Sequence, residues 1–346
     1  MIKLKTDAKR FFNGKKFVPE LLAQELIAEN IYVTRPQDEK IFRYDKDRGI
    51  YDENSEWILR KEIIRKLDYY FRRSTYNQTL RCLKKLTMKE LPSPPHGLIA
   101  VQNGILNIFT GELTSFSKNN FIINALNVKY DETAKCPEFL RFLSEVLPDL
   151  KDQMVIQEFF GYCLFQDCRY EKALMLLGSD SRRKSRIIHF VLRKLLGEEN
   201  YSVVPIDQRS FKKNWYYLLY GKLANFRLCQ YTLPSSILKG KGLFETLHSG
   251  GKLTVKEKFS KPFEFNNVAK LIFECVMLPD KKYCTDEFFK RWLIVDFPKN
   301  NFSIEDTAND IDTEEKLTTP EALSGILNWS LDGARRLEAQ KGFTAN

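Results

Sequence analysis

The residues with the clearest chemical potential are Gly178-Ser-Asp-Ser-Arg-Arg183-Lys184-Ser185. They follow an apolar run, Lys172-Ala-Leu-Met-Leu-Leu177, and lead into a stretch whose apolar residues fall at 187, 188, 191, 192, 195 and 196. The run reads as a buried strand and the spacing as a helix over 184–196. A strand, a short loop and a helix in that order place a ligand at the helix N-terminus, where unpaired N–H groups and the helix dipole favour an anion. The octapeptide also approaches the phosphate-binding pattern of Gly, four residues, Gly, Lys, and Ser or Thr. In that pattern the backbone wraps the phosphates of ATP, Lys neutralises their charge and the hydroxyl binds Mg2+. Gly178, Lys184 and Ser185 stand at matching positions, but Arg183 replaces the second glycine, and a side chain there hinders close approach of backbone to phosphate. A basic helix start with no ligand is the plainer alternative.

Other residue types offer less. His96, His189 and His248 are dispersed, and His189 falls on the apolar face of its helix, where a core role is expected. The seven cysteines form no CxxC pair, so reduced, buried thiols are expected rather than a disulfide framework or a zinc site. Tyr216-Tyr217 and Phe288-Phe289 are read as core, not base-stacking platforms. With 55 Lys and Arg against 45 Asp and Glu, the chain carries a formal charge of +10. Its distribution is uneven: residues 178–230 hold eleven basic and four acidic residues, whereas 303–321 hold seven acids and only Lys316. A polyanion partner and a merely solvated surface both fit that surplus.

At 346 residues the length suits roughly two domains, and 43% hydrophobic with 29% charged residues excludes disordered and collagenous classes. No apolar stretch is long enough to span a bilayer, and the first residues, Met1 to Lys16, lack the apolar core of a secretory signal, so a cytoplasmic protein is expected. In the first ninety residues Pro19 opens a helix, 31–34 and 41–44 read as strands, and Asp45-Lys-Asp-Arg-Gly49 turns into Ile50-Tyr51. One further helix carries Leu59, Ile63 and Leu67, and another Leu80, Leu83 and Leu86. Leu91-Pro-Ser-Pro-Pro-His-Gly97 breaks any regular element and reads as a linker. Strands follow at 98–101, 105–109 and 113–116, then helices from Cys136-Pro137 and from about Gln153. The expected fold class is therefore α/β: a mixed α+β N-terminal domain over 1–150, a nucleotide-fold core over 151–300, and an acidic linker with a closing helical segment over 301–346.

A series of segments then resembles the phage and plasmid (poxvirus-type) primase-helicase family, whose motor is a superfamily III AAA+ ATPase. They include Asn103-Gly-Ile-Leu-Asn-Ile-Phe-Thr-Gly-Glu-Leu113, Tyr130-Asp131, Gln157-Glu-Phe-Phe-Gly-Tyr162, Leu219-Tyr-Gly-Lys-Leu-Ala-Asn225, Leu271-Ile-Phe273 with Leu278-Pro279, Phe288-Phe-Lys-Arg-Trp292, Leu323-Ser-Gly-Ile-Leu-Asn-Trp329 and Gly342-Phe-Thr344. The resemblance implies a P-loop AAA+ core that assembles as a ring and moves on single-stranded or forked DNA. The family usually continues into a winged-helix domain after Gly-Phe-Thr, so a chain ending at Asn346 is expected to lack it.

Departures from the family cluster where its chemistry sits. Its Mg2+-organising acid follows the Gly-Lys-Leu-x-Asn segment, yet 225–236 holds no carboxylate, and Gln230 and Thr232 are nearest its place. The sensor asparagine falls on Val276, and Gly-Gly-Asp appears as Gly250-Gly251-Lys252. Arg291 alone keeps the guanidinium of a possible arginine finger. Asp207 and Glu245 are the candidates to supply an acid from elsewhere. A hairpin over 253–265, with Lys256, Lys258 and Lys261 near its tip, is expected to touch DNA phosphates without reading sequence, a solvated strand edge being the alternative. The expected function is a degenerate helicase-like module for DNA binding or ring assembly, with itself or with an active helicase homologue, in replication of a mobile element. ATP and Mg2+ are its implied ligands, with little or no hydrolysis. A weak but active ATPase and a structural or regulatory partner of an active helicase are the alternatives.

Overall fold

A computed structural model describes residues 8–53, 55–90, 92, 96–178, 182–203, 228–232, 241–255, 263–275, 278, 286–298 and 309–344. The chain divides into two compact units: 1–94 with 117–123, and 95–116 with 124–346.

In the first unit a short antiparallel pair, β1 (Phe12–Asn13) and β2 (Lys16–Phe17), precedes α1 (Pro19–Glu29), which starts on its proline. A meander follows: β3 (Tyr32–Thr34), β4 (Ile41–Asp45) and β5 (Ile50–Asp52), all antiparallel, with Gly49 at φ 67° in the tight β4–β5 turn. Then come α2 (Glu56–Leu67) and α3 (Arg73–Thr87). Leu59, Ile63 and Leu67 pack with Leu22, Ala23 and Leu26 of α1, as their spacing of four dictates. Lys66 is buried on that same face, its ammonium 2.5 Å from both Glu25 and Glu29. On α3 the buried stripe is Thr75, Thr79, Leu83 and Thr87, and Leu86 is exposed, so the expected run 80-83-86 is corrected. The threonines are tolerated inside because Thr79 and Thr87 hydroxyls donate to the carbonyls of Thr75 and Leu83.

The second unit begins with another antiparallel meander, β6 (Leu98–Val101), β7 (Gly104–Asn107) and β8 (Leu113–Thr114). Two helices, α4 (Pro137–Val146) and α5 (Leu150–Tyr162), lead to β9 (Ala173–Leu177) and α6 (Arg182–Leu196). Next come β10 (Tyr201–Val203), β11 (Leu228–Thr232), α7 (Lys241–His248) and a hairpin of β12 (Lys252–Val255) with β13 (Phe263–Asn266). β14 (Lys270–Cys275), α8 (Asp286–Phe289), β15 (Trp292–Asp296), α9 (Asn309–Leu317) and α10 (Pro320–Gln340) complete it. Five strands form one parallel sheet in the order β10-β11-β14-β9-β15. Leu174 and Leu176 of β9 join the core shared with α4, α5, α6 and α10, while Ala173 and Met175 join Phe244, Leu247 and Phe288. The sheet is therefore apolar on both faces, as a parallel sheet with continuous apolar strands requires.

Several residues that carry the family resemblance serve this packing. The Asn103 amide exchanges two hydrogen bonds with the Tyr130 backbone, at 2.9 and 2.8 Å. Glu158 on α5 is fully buried; its carboxylate accepts from Arg336 on α10 at 2.6 Å and from the Thr344 hydroxyl and N–H at 2.6 and 2.8 Å. At Gly161 a side chain would collide with the α10 backbone at Ala334, and at Gly333 with the α5 backbone at Gln157, so the two glycines let these helices touch.

Two expectations about organisation are corrected. A boundary near 150 falls inside the second unit, because Phe139 and Leu143 of α4 share one core with α5 and α10. Residues 117–123 return to the first unit, where Phe121 lies 4.6 Å from Tyr51 and 5.6 Å from Phe42, ring to ring. The segment over 301–346 is also more than a linker with a closing helix: from Asn309 it is helical, and Leu317, Leu323, Ile326 and Leu327 are core residues.

Candidate functional site

The site follows from strand order. β9 lies between β14 and β15; from β9 the chain crosses through α6 to β10 at the far edge, and from β14 it crosses β9 to reach β15 on the other side. Such a reversal of direction is a topological switch point, and the carboxyl ends of the strands beside it form a ligand crevice. Gly178 stands there, its N–H donating to Cys275 O at 3.0 Å, and α6 starts four residues later with Lys184 and Ser185 in its first turn. A helix of 15 residues directs its unpaired N–H groups and dipole toward that crevice.

Carboxylates near this end of the sheet lie on other strands than expected. Gln230 and Thr232, read from the sequence as nearest the place of the acid, belong to β11. Thr232 pairs in register with Glu274 of β14, whose carboxylate lies on the α6 face, 3.8 Å from Nδ1 of His189. Burial and then the Arg193 charge depress His189 to about 4, so it is neutral at pH 7 and that contact is no ion pair; its Nε2 is buried without a partner. Asp296 ends β15 opposite Leu177. On α5, Asp152 is pushed up to about 6 by burial first, then by Asp149 and Asp296. Sequence reasoning missed Glu274, Asp152 and Asp296; for Glu274 and Asp296 the available signal was position, since an acid at the last or next-to-last residue of an apolar strand run is costly to keep.

The other expected residues separate. Arg291 precedes β15 at the amino end of the strands: its carbonyl accepts from Ala173 N at 3.0 Å, and its guanidinium pairs with Glu245 at 3.1 Å. The five residue steps from Ala173 to Gly178 span roughly 17 Å of strand, beyond the reach of an arginine side chain. Glu245 is thus also at the amino end, away from Gly178. Gly250, at φ 70°, and Gly251 have steric reasons to be glycine, because side chains there would press on Cys168 and on Thr246. Lys252 sits on β12, 3.2 Å from Glu264 across the hairpin. The hairpin strands are present, while Lys256, Lys258 and Lys261, like Val276 and Asp207, lie outside the described residues.

Nucleophile and metal chemistry find little support elsewhere. Cys136, Cys163, Cys168 and Cys275 are buried free thiols, and burial together with Glu274 pushes Cys275 up to about 12. His248 is depressed to about 4 by burial and by Arg291. Among the described residues no group of His, Cys, Asp and Glu could hold a metal ion, and no helix is long and apolar enough to cross a membrane. The residue types of β11, Leu-Cys-Gln-Tyr-Thr, include no carboxylate and so do not suit the Mg2+ that the resemblance implies.

Comparison with known proteins agrees with this architecture. The family profile described as "D5 N terminal like" matches residues 23–148. The chain is similar in fold to the A form apo structure of the NrS-1 C-terminal region, with a TM-score of 0.53 at 15% identity over 90% of this chain and 71% of that one. A second apo structure of the NrS-1 C-terminal region, residues 305–718, gives 0.53 at 14% identity over 95% and 75%. No curated protein matches in sequence.

Proposed function

We propose that this chain is a DNA-replication module of the primase-helicase type, whose AAA+ nucleotide fold serves DNA binding and ring assembly with little or no ATP hydrolysis. The observation that supports the reading is the parallel sheet: β9 ends before Gly178, α6 starts at Arg182, and β11 has the sequence Leu-Cys-Gln-Tyr-Thr, without an acid. The D5 N-terminal-like match supports the replication class, and the NrS-1 likeness supports the fold. Without a carboxylate to organise Mg2+ and water, turnover falls by orders of magnitude. Arg291, at the amino end of the strands, is out of reach of the loop that follows Gly178 in its own chain. The test is ATP calorimetry with Mg2+ and single-turnover hydrolysis on the same sample. Nucleotide binding without turnover is expected, and turnover that disappears in Lys184→Ala would overturn the reading.

One observation favours a second reading, a weak ATPase. Glu274 is the register partner of Thr232 and projects on the α6 face, so it can approach the metal position from the adjacent strand. In that case turnover vanishes in Glu274→Gln as well as in Lys184→Ala.

A further inference from the structure

The first unit carries a surface that no sequence motif marks. On α2, Trp57, Lys61 and Ile64 are exposed, away from the stripe of Leu59, Ile63 and Leu67, and Trp57 keeps 56% of its surface in water. After a break at Asp68, at φ 47°, a single-turn helix at 68–70 holds Tyr69 with 77% of its surface exposed. Large aromatic side chains are normally withdrawn from water, so two this open at the two ends of one helix are unusual for a surface with only a solubility role. Each ring has a cation against it: Lys61 Nζ lies 4.3 Å from the Trp57 centroid, and the Arg72 guanidinium 5.6 Å from that of Tyr69. Arg72 is fixed in place, donating to the carbonyls of Tyr69 and Phe71 at 2.9 and 2.7 Å.

Charge follows the same stretch. Between Glu56 and Lys89 there are ten basic and three acidic residues. Two of these are turned inward: Lys66 is buried against Glu25 and Glu29, and Glu62 accepts from Tyr32 at 3.0 Å. Of the other nine basic residues, eight are exposed. Trp57 stands in the first turn of α2 and Tyr69 two residues past its end at Leu67; the ten residues of helical rise from Trp57 to Leu67, roughly 15 Å, are enough for several nucleotides of an extended strand.

We infer that the α2 to α3 surface, from Trp57 through Lys61 to Tyr69 and Arg72, is a binding track for single-stranded DNA. Cations spaced along a line match phosphates, and exposed rings stack on unpaired bases of any sequence. A duplex hides its base faces and uses only the charge, so the rings select the single strand. The inference shares the DNA partner with the proposed function but needs neither the nucleotide loop nor the hairpin lysines. The two can therefore fail separately, one in the ATP experiment and the other in the following.

The full chain is titrated against fluorescein-labelled dT20, a duplex of equal length and U20, by anisotropy at several salt concentrations. Trp57→Ala with Tyr69→Ala is expected to weaken dT20 binding about tenfold or more while leaving duplex binding within about twofold. Lys61→Glu with Arg72→Glu weakens both and lowers the salt slope. Trp57→Phe, which keeps a ring, stays within about threefold of wild type, and the thermal midpoints of all variants guard against misfolding. Wild-type affinity for dT20 in the aromatic double variant overturns the inference, as does an absence of dT20 binding by wild type. Equal loss on duplex and single strand, tighter binding of U20, or displacement by polyglutamate as efficient as by dT20 would also overturn it, in favour of a backbone, RNA or protein site.

Discussion

The seam between α5 and α10 and the outer surface of α2 and α3 are both rich in charge and aromatic rings, yet they use them in opposite ways. At the seam Glu158 is fully buried and saturated by Arg336 and Thr344, and Gly161 and Gly333 let the helices touch. Glu158, Gly161 and Thr344 fall in the segments that carry the family resemblance, and the structure gives them an architectural task. On α2 and the turn after it, Trp57 and Tyr69 stand in water with cations against their rings, in no motif at all. Short motifs can thus mark what holds a fold together, while a recognition surface is marked by residues that break the core pattern.

The strongest way to break that contrast is Glu158→Ala. It leaves Arg336 and Thr344 without their acceptor, and a loss of about 3 kcal/mol is expected, read as a fall in the urea midpoint with unchanged slope. A loss under about 1 kcal/mol would make the seam no more structural than an ordinary surface pair.

A second variant sharpens it through pH. His189 ionises near 4 in the folded chain and near 6.5 when unfolded, so below 6.5 the unfolded state takes up the proton first. Stability from the neutral folded ring is complete above pH 6.5 and is lost as pH falls toward 4. His189→Leu should flatten that acid limb by about 2 kcal/mol in denaturation midpoints between pH 7 and 4, with little change at pH 7.5.

The smallest effect belongs to an exposed pair. Lys252 and Glu264 lie 3.2 Å apart with more than half of each side chain exposed, and Lys252→Ala should cost at most about 0.5 kcal/mol. A larger loss would show the hairpin relies on that pair.

Much of the second unit was legible because its elements announce themselves locally. The apolar run before Gly178 and the spacing from 187 to 196 gave β9 and α6, and Gly49 with its acidic neighbours gave the β4–β5 turn. What was hidden depends on distant pairing: nothing around Phe121 shows that it packs against Phe42 and Tyr51. On α3, leucines at spacing three misled, because threonines whose hydroxyls bond back to the helix could be buried in their place. At the candidate site the loop and the acid-free β11 were readable, but Glu274 was not, because register across strands sets its place beside Thr232. Trp57 was readable in principle, since it lies two residues before Leu59 and so off the 59-63-67 stripe, about 120° round the helix from its centre.

Arg291 and Gly178 lie at opposite ends of two adjacent parallel strands. A site that needed both would have to join two unlike surfaces, amino end to carboxyl end. Such a contact is heterologous: it cannot close as a two-fold dimer, and repetition of it gives either a ring or an open filament. Every copy in such an array would have the same direction, so its two faces would differ.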